Sequence, residues 1–591
     1  MNADHMLREQ GSRDRRLLPA AITIWASSLF THQMFAYYAS LQQSQSNGEQ
    51  TRNFTNAIAQ WVISPPSTMM VVAVITGAAT LLIVFAIALQ PRARRAGMLC
   101  VCLAAAIIAT MTAIASDTRT WLDPATQHAQ HAKNADKETI IAQATIMTPI
   151  LVSDQRGYAC QADVRFDAIT VNGVERRSFA SARLYAQYGE CTVLQRAAQY
   201  RFTGIVRNAE YGRMPLWMLV DTASDSRNDT VTQSRAPPWY RRVVTRMQHA
   251  FFRITETLDE QGRILVPGMT MGVLGQDYFD AETPSEPVND TYANAVEEYF
   301  RKAGIMHLMA VSGGHFVLLA SLIRRIGMWL LADRRIIAVL MALAYVALAA
   351  VVFPGDSVTR ALIMGLMGAV AYACGRRAQA LSALCWTVIG TVILKPDMSR
   401  SYGFALSCAA VLGIVLYANR IERVLSHVMP QPIAQAAAMT IAAQMFTVPI
   451  QVLMEPELPL LSVLANLLVS PLVSLATMAG LMGLCCAWCV PWLALVLVRI
   501  ASWCTLIMER IATWLGGSDW AAMAWPGNAK GVLLTLTLEF AVFLIMQYAS
   551  HWLRRRRIES GLPGERFGRL PAQRVRLTVW WHETLHLLLH G

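Results

Sequence analysis

Charge is the scarcest property of this chain. Asp, Glu, Lys and Arg make up 15% of its 591 residues, where a soluble protein carries about 25%, so a wholly soluble globular fold is excluded. No G-x-x-x-x-G-K-[ST] phosphate loop occurs, which excludes nucleotide hydrolysis on such a loop within this chain. None of the eleven cysteines has metal-ligand spacing. Cys100, Cys102, Cys374, Cys385, Cys408, Cys485, Cys486, Cys489 and Cys504 lie in or beside apolar runs, where a thiol acts as a small hydrophobe. No convincing internal repeat is visible, which weighs against a transporter built from two inverted halves. Neither a metal nor a cofactor is expected.

What the chain has instead is apolar length. Hydrophobic residues are 54% of it, gathered at 19–40, 68–89 and 97–116, and again at 316–331, 336–353, 358–374, 378–394, 402–418, 433–453, 459–484, 490–513 and 530–550. A ~30 Å hydrocarbon core needs about 20 such residues, so the expected fold is mainly α, a polytopic membrane protein of about twelve transmembrane helices. The net charge of +12 is placed to match. Arg92, Arg94 and Arg95, Arg324, Arg325, Arg334 and Arg335, Arg376 and Arg377, and Arg554 to Arg557 stand in short connections or flanks, where the positive-inside rule puts the cytoplasm. The basic excess is thus read as topology and not as nucleic-acid binding. The expected location is the plasma (inner) membrane, multi-pass, with both termini cytoplasmic. The 490–513 run is the ambiguous one: Arg499, Ser502, Glu509 and Arg510 lie near one helical face, so it either crosses or lies along the interface.

By these signals the chain divides into an N-terminal membrane segment (1–116), an extracytoplasmic β domain (117–238), an amphipathic interfacial connection (239–300), a membrane core (301–485), further membrane helices (486–552) and a basic cytoplasmic tail (553–591). In the β domain the apolar runs vanish and alternating stretches take over, with Asn172-Gly173 as a type I′ hairpin signal. About five short strands suggest a small barrel. Arg176, Arg177, Arg183, Arg196, Arg201, Arg207 and Arg213 face only Glu190 and Glu210 between 176 and 213. With Tyr185, Tyr188, Tyr200 and Phe202 interleaved, they are either a surface for single-stranded nucleic acid or an ordinary solvated face over a tyrosine-containing core. Cys160 and Cys191 stand alone in this exported domain, where oxidation is permitted, and are expected to pair.

The membrane core opens on His307-Leu308-Met309-Ala310-Val311-Ser312-Gly313-Gly314-His315. Polar groups at bilayer depth usually face a bundle interior or a wet cavity, and paired glycines admit a close backbone or a broken helix. If the segment is one helix, His307 and His315 lie within about 80° of each other and share a cavity. The plain alternative is a packing seam with two neutral histidines. Arg360, placed early in an apolar run, opposes its helix dipole; it either holds a phosphate at a pore mouth or snorkels to headgroups. Arg400, Ser407, Gln444 and Asn466 add polar groups that tie helices together or line a path. A hydrolase built on His307, Ser312 and His315 lacks an evident acid partner. His582-Glu583-Thr584-Leu585-His586 matches H-E-x-x-H, but zinc catalysis is not expected, since only His590 is left as a third ligand.

The stretch "FRKAGIMHLMAVSGGHFVLLASLI" resembles the signature of the ComEC family of competence proteins. "SVTRALIMGLMGAVAYACGRR", "KPDMSRSYGFALSCAAVLGI", "IAAQMFTVPIQVLM" and "LLSVLANLLVSPLVSLATMAGL" continue the resemblance in the family's order, roughly over 270–485. It implies an inner-membrane channel for uptake of single-stranded DNA, an OB-like fold for the β domain, and contact with membrane lipid. A separate DNA receptor and a cytoplasmic ATP-driven motor are implied as partners, and a homodimer is allowed. The implied DNA path is His307, Ser312, Gly313, Gly314, His315, Arg360, Arg400, Ser407, Gln444 and Asn466. The pattern is broken in places. Ala405 stands where many members have Gln, Gly314 where a larger residue is common, and the metallo-β-lactamase-like domain with its H-x-H-x-D-H motif is not found, so the expectation is a short form with no enzymatic role. The alternative reading is a secondary transporter or flippase for a small or lipid-linked substrate.

Overall fold

The computed structural model describes residues 15–45, 94–131, 139–220, 230–279, 289–376, 379–518 and 520–541. The apolar run at 68–89, the Arg554 to Arg557 cluster and the H-E-x-x-H stretch fall outside these. Two long helices, α1 (Leu18–Gln45) and α2 (Arg94–Trp121), precede the short α3 (Pro124–His131). The segment expected to be all β from residue 117 therefore begins helical, and its first strand starts at Ile140. Asp123 makes the join: its buried carboxylate accepts from Ala125 N at 2.9 Å, Ser178 Oγ at 2.6 Å and Phe179 N at 2.7 Å. One side chain thus caps α3 and fixes it to the β domain.

The β domain contains β1 (Ile140–Ile146), β2 (Leu151–Val152), β3 (Cys160–Val171), β4 (Val174–Arg177), β5 (Ser181–Ala186), β6 (Gln199–Asn208), β7 (Leu216–Val220) and β8 (Val231–Arg235), with a single turn of helix, α4 (Tyr188–Cys191), between β5 and β6. The strand order β1-β3-β5-β7-β6 closes on itself through β6–β1 pairing. Five strands make a barrel, and β5–β7 is its parallel pair. Alternation explains the closure: every second residue of β1 and β6 is buried, so one face fills a core with Phe166, Tyr200 and Phe202 while the other meets solvent. Asn172 (φ 52°) and Gly173 (φ 79°) both take positive φ between β3 and β4, as the hairpin signal predicts. Cys160 and Cys191 are joined by a disulfide across 31 residues. Cys160→Ser is expected to remove about 3–4 kcal/mol of barrel stability on the chain-entropy account. Protein abundance and the melting temperature, with and without reductant, are the readouts; unchanged values would deny the bond a structural role.

The helical part continues with α5 (Trp239–Thr255), α6 (Glu260–Met271), α7 (Asp290–Lys302), α8 (Gly313–Trp329), α9 (Arg334–Val351), α10 (Asp356–Ala373), α11 (Ala380–Leu394), α12 (Tyr402–Gly413), α13 (Asn419–Leu425), α14 (Gln431–Met454), α15 (Ser462–Ala487) and α16 (Pro491–Gly516). A π-helical turn at Ile414–Ala418 joins α12 to α13 as one rod. Among the described residues six helices are long and apolar enough to cross a membrane: Gly97–Trp121, Arg334–Val351, Tyr402–Leu425, Gln431–Met454, Ser462–Ala487 and Pro491–Gly516. The ambiguous run is one of them. Two short strands, β9 (Glu457–Pro459) before α15 and β10 (Ala522–Ala524) after α16, pair antiparallel. Their pairing brings the distant ends of α15 and α16 together, so the two helices run side by side as a hairpin. Arg301 of α7 meets Glu457 at 2.8 Å beside these strands.

The barrel sits against one end of the helices. Tyr278 stacks on Phe252 at 3.8 Å and packs near Phe353, while Leu151 bridges to Tyr278. Arg196 lies over the Phe353 ring at 5.9 Å, and the β6–β7 loop reaches the start of α10.

Candidate functional site

A cavity of about 1600 Å³ opens among α8, α10, α12, α14 and α15. Along α10 its lining runs from Asp356 to Tyr372, a helical length of about 24 Å. At one end stand Asp356, Gly403 and Pro459; at the other stand Arg324, Arg376 and Gln379. The cavity therefore follows the bundle lengthwise and is not a local dent.

The glycine segment opens this cavity for a reason different from the one its spacing suggests. His307 and His315 do not share a helix. Met306–Met309 form a 3-10 turn, Ala310 is extended, and α8 starts at Gly313 with Ser312 as its N-cap. Ser312 Oγ accepts from Gly314 N at 3.3 Å. His315 reaches back, its Nδ1 accepting from Ser312 N at 3.3 Å, while Nε2 donates to the Met269 carbonyl at 2.8 Å. These partners assign a neutral ring with its proton on Nε2. His315 is buried and absent from the cavity wall, which corrects the expectation that it shares a cavity with His307: capping the helix turns the ring away from the opening. His307, Ser312, Gly313 and Gly314 do line the cavity.

Facing Gly313 is Arg360. The residue is 6% exposed, and its guanidinium donates from Nε to Ser407 Oγ at 2.7 Å and touches Met364 Sδ at 3.6 Å. No described carboxylate pairs with it. A Cβ on Gly313 would stand 3.2 Å from Arg360 Nη2, so glycine is what lets this cation lie along the wall. The Ser407 hydroxyl donates in turn to Ser357 Oγ at 3.0 Å. Gln444 and Asn466 also line the cavity, and both turn to Ser462: Gln444 Nε2 donates to its Oγ, and Asn466 Nδ2 to its carbonyl at 2.8 Å. Gln444 thereby ties α14 to α15, while the Asn466 bond stays within α15. Arg400 is exposed and lies off the lining; it ends the turn Pro396–Arg400, so the structure does not bring it together with the cavity residues.

The rim carries a contact that the sequence alone did not single out. Arg213, in the β6–β7 loop of the barrel, grips Asp356 with both terminal nitrogens at 3.1 Å. Asp356 also accepts from Ser401 Oγ. One carboxylate thus joins the barrel, α10 and the turn before α12.

On the barrel, Tyr200 and Phe202 are fully buried and touch each other in the core. Tyr200 Oη donates to Val193 O at 2.8 Å, and burial pushes its pKa up to about 12. Neither ring can stack on a base, a correction that follows from their inward register opposite exposed Arg201. Arg183 pairs with Asp163 at 3.1 Å and Asp154 at 3.6 Å, and Arg207 lies on Trp217 at 4.9 Å. Arg196 packs over Phe353, and burial beside Arg241 lowers its pKa to about 10. Arg176 and Arg177 stay exposed on β4. Tyr211 rests on Trp217 at 4.7 Å, half-exposed, two residues from Arg213. The basic face is thus partly neutralised, and its aromatic contact is in the loop nearest the cavity.

Residues 289–551 match the family described as Competence protein. No curated protein and no solved structure matches the chain.

Proposed function

On the premise that residues 289–551 of this chain are a competence-protein domain, as the resemblance to the ComEC family implied, we propose that it is a membrane channel passing one DNA strand during natural transformation. The observation that carries the reading is the cavity along α10. It is about as long as most of a hydrocarbon core, and its mainly apolar wall is broken by glycines, serines, Gln444, Asn466 and Arg360, with which no described carboxylate pairs. A DNA strand needs compensating cations or water along its backbone. Arg360 supplies one fixed charge near the rim, and Arg324 and Arg376 flank the opposite end. The arginine-rich end is taken as cytoplasmic, which puts the barrel outside.

The barrel supports the same reading. A closed five-stranded ring with one parallel pair is the plan of an OB barrel, whose fourth-to-fifth strand loop is a usual contact for oligonucleotides. Here that loop bears Tyr211 and Arg213 and ends on the rim. Passage is conduction, not catalysis: the backbone already occupies both ring nitrogens of His315, so it is no base for Ser312. Energy comes from a separate motor, and a separate receptor delivers the strand.

Labelled-DNA entry in a deletion strain tests the proposal, with transformation scored alongside. Both are expected to vanish and to return when the chain is restored. Normal entry in the deletion strain, with a lipid-linked substrate accumulating on one membrane face, would move the assignment to a flippase.

A further inference from the structure

We propose that His32, Asp117 and Asp397 form a binding site for a divalent transition-metal ion of the zinc or manganese class, fastening the N-terminal helices to the cavity rim. The site goes beyond the channel reading and does not depend on it. Its three members come from α1, the end of α2 and the turn Pro396–Arg400. A ring nitrogen of His32 and one oxygen from each aspartate lie within 4.8 Å of one another.

The turn is fixed to α1 by two further contacts. Trp25 Nε1 donates to Ser399 O at 3.0 Å, and Ser28 Oγ to Ser399 Oγ at 3.1 Å. Positions 25, 28 and 32 share one helical face, so the anchoring that seats the turn also brings Asp397 to His32. His32 Nδ1 lies 2.8 and 2.7 Å from the two oxygens of Asp117. The imidazole is 1% exposed, and Nε2 is buried with no hydrogen-bond partner.

Charge makes the same point. Two carboxylates converge here, and no described lysine or arginine pairs with either. One imidazolium would still leave the cluster negative. A divalent cation held by His32 Nδ1 and one oxygen of each aspartate supplies what is missing, the Nδ1 proton that faces Asp117 leaving to solvent as the ion binds. One imidazole with two carboxylates suits zinc or manganese better than calcium, which takes an all-oxygen shell. Bonds of about 2.0–2.2 Å set ligand atoms roughly 3.0–3.6 Å apart, so Asp117 would open slightly from its 2.7 Å contact with Nδ1 as the ion enters. Asp397 is exposed, which gives the ion a way in from solvent and leaves room for water ligands. The same turn gives Met398 to Arg213 at 3.6 Å and leads into Ser401 on Asp356, so the bound ion would hold α1 and α2 to the rim.

The test uses the full chain in detergent with His582 and His586 changed to alanine, so that the H-E-x-x-H stretch contributes no ligand. After chelator treatment and desalting, Zn2+ or Mn2+ is added alone and retained metal is measured. One ion per chain is expected on this parent and none on its His32→Ala form. Asp397→Asn, a change at an exposed carboxylate, should weaken binding at least about tenfold with unaltered elution. A parent that retains no ion would overturn the site. So would equal retention by the parent and the Asp397→Asn form, leaving a hydrogen-bonded histidine–aspartate pair only.

Discussion

Gly313→Leu is expected to cut DNA uptake by about a hundredfold or more at normal protein abundance, equivalent to about 2.7 kcal/mol on the barrier to passage. Gly313 is the first residue of α8 and lies on the cavity wall opposite Arg360. Its φ is ordinary, so leucine is tolerated by the backbone there; the obstacle is space. Even a Cβ stands 3.2 Å from Arg360 Nη2. The rest of a leucine must fill the opening or push the guanidinium aside. Uptake measured beside membrane abundance decides the matter. Normal uptake at normal abundance would remove this cavity from the path.

Arg360→Met should separate function from stability. A buried cation with no described acid partner burdens the bundle, and scales for membrane insertion put a central charge at about 2.5–3.5 kcal/mol. Methionine keeps the length and removes the charge, so the variant should melt higher or equal while uptake falls about tenfold or more. Replacing a buried charge with a packed apolar group is commonly neutral or stabilising. Loss of uptake together with loss of stability would mean that the bond to Ser407 is a structural tie. Unchanged uptake would take the arginine out of the path. Arg360→Lys keeps charge but not the reach from Nε to Ser407, and is expected to fall between.

Local signals made much of the architecture legible. The apolar runs among the described residues became helices because length and composition fix them without reference to neighbours. Asn172-Gly173 became a turn with two positive φ values because few other pairs tolerate both. The ambiguous run before Gly516 could not be settled by its own residues, since its polar groups point into neighbours: Ser502 Oγ accepts from Gln261 and Glu509 from Tyr292. His315 was misplaced by treating 307–315 as one helix. Yet Ser312 ahead of an apolar run is itself a helix-start signal, and it marked where the ring would turn back. Tyr200 and Phe202 flank Arg201 in strict alternation, which in a closed barrel sends both aromatics inward. The Arg213–Asp356 pair and the His32–Asp117–Asp397 cluster had no such signal, because their members are far apart in sequence and meet only through tertiary packing.

The reach of Arg213 to Asp356 has a mechanical consequence. Its loop hangs from β6 and β7, and both of those strands are hydrogen-bonded along their two edges within the closed ring. Such a loop moves only as the ring moves. The barrel is therefore a lever whose short arm ends on the carboxylate at the start of α10, and a tilt of the whole body pulls on that helix through the Arg213 side chain.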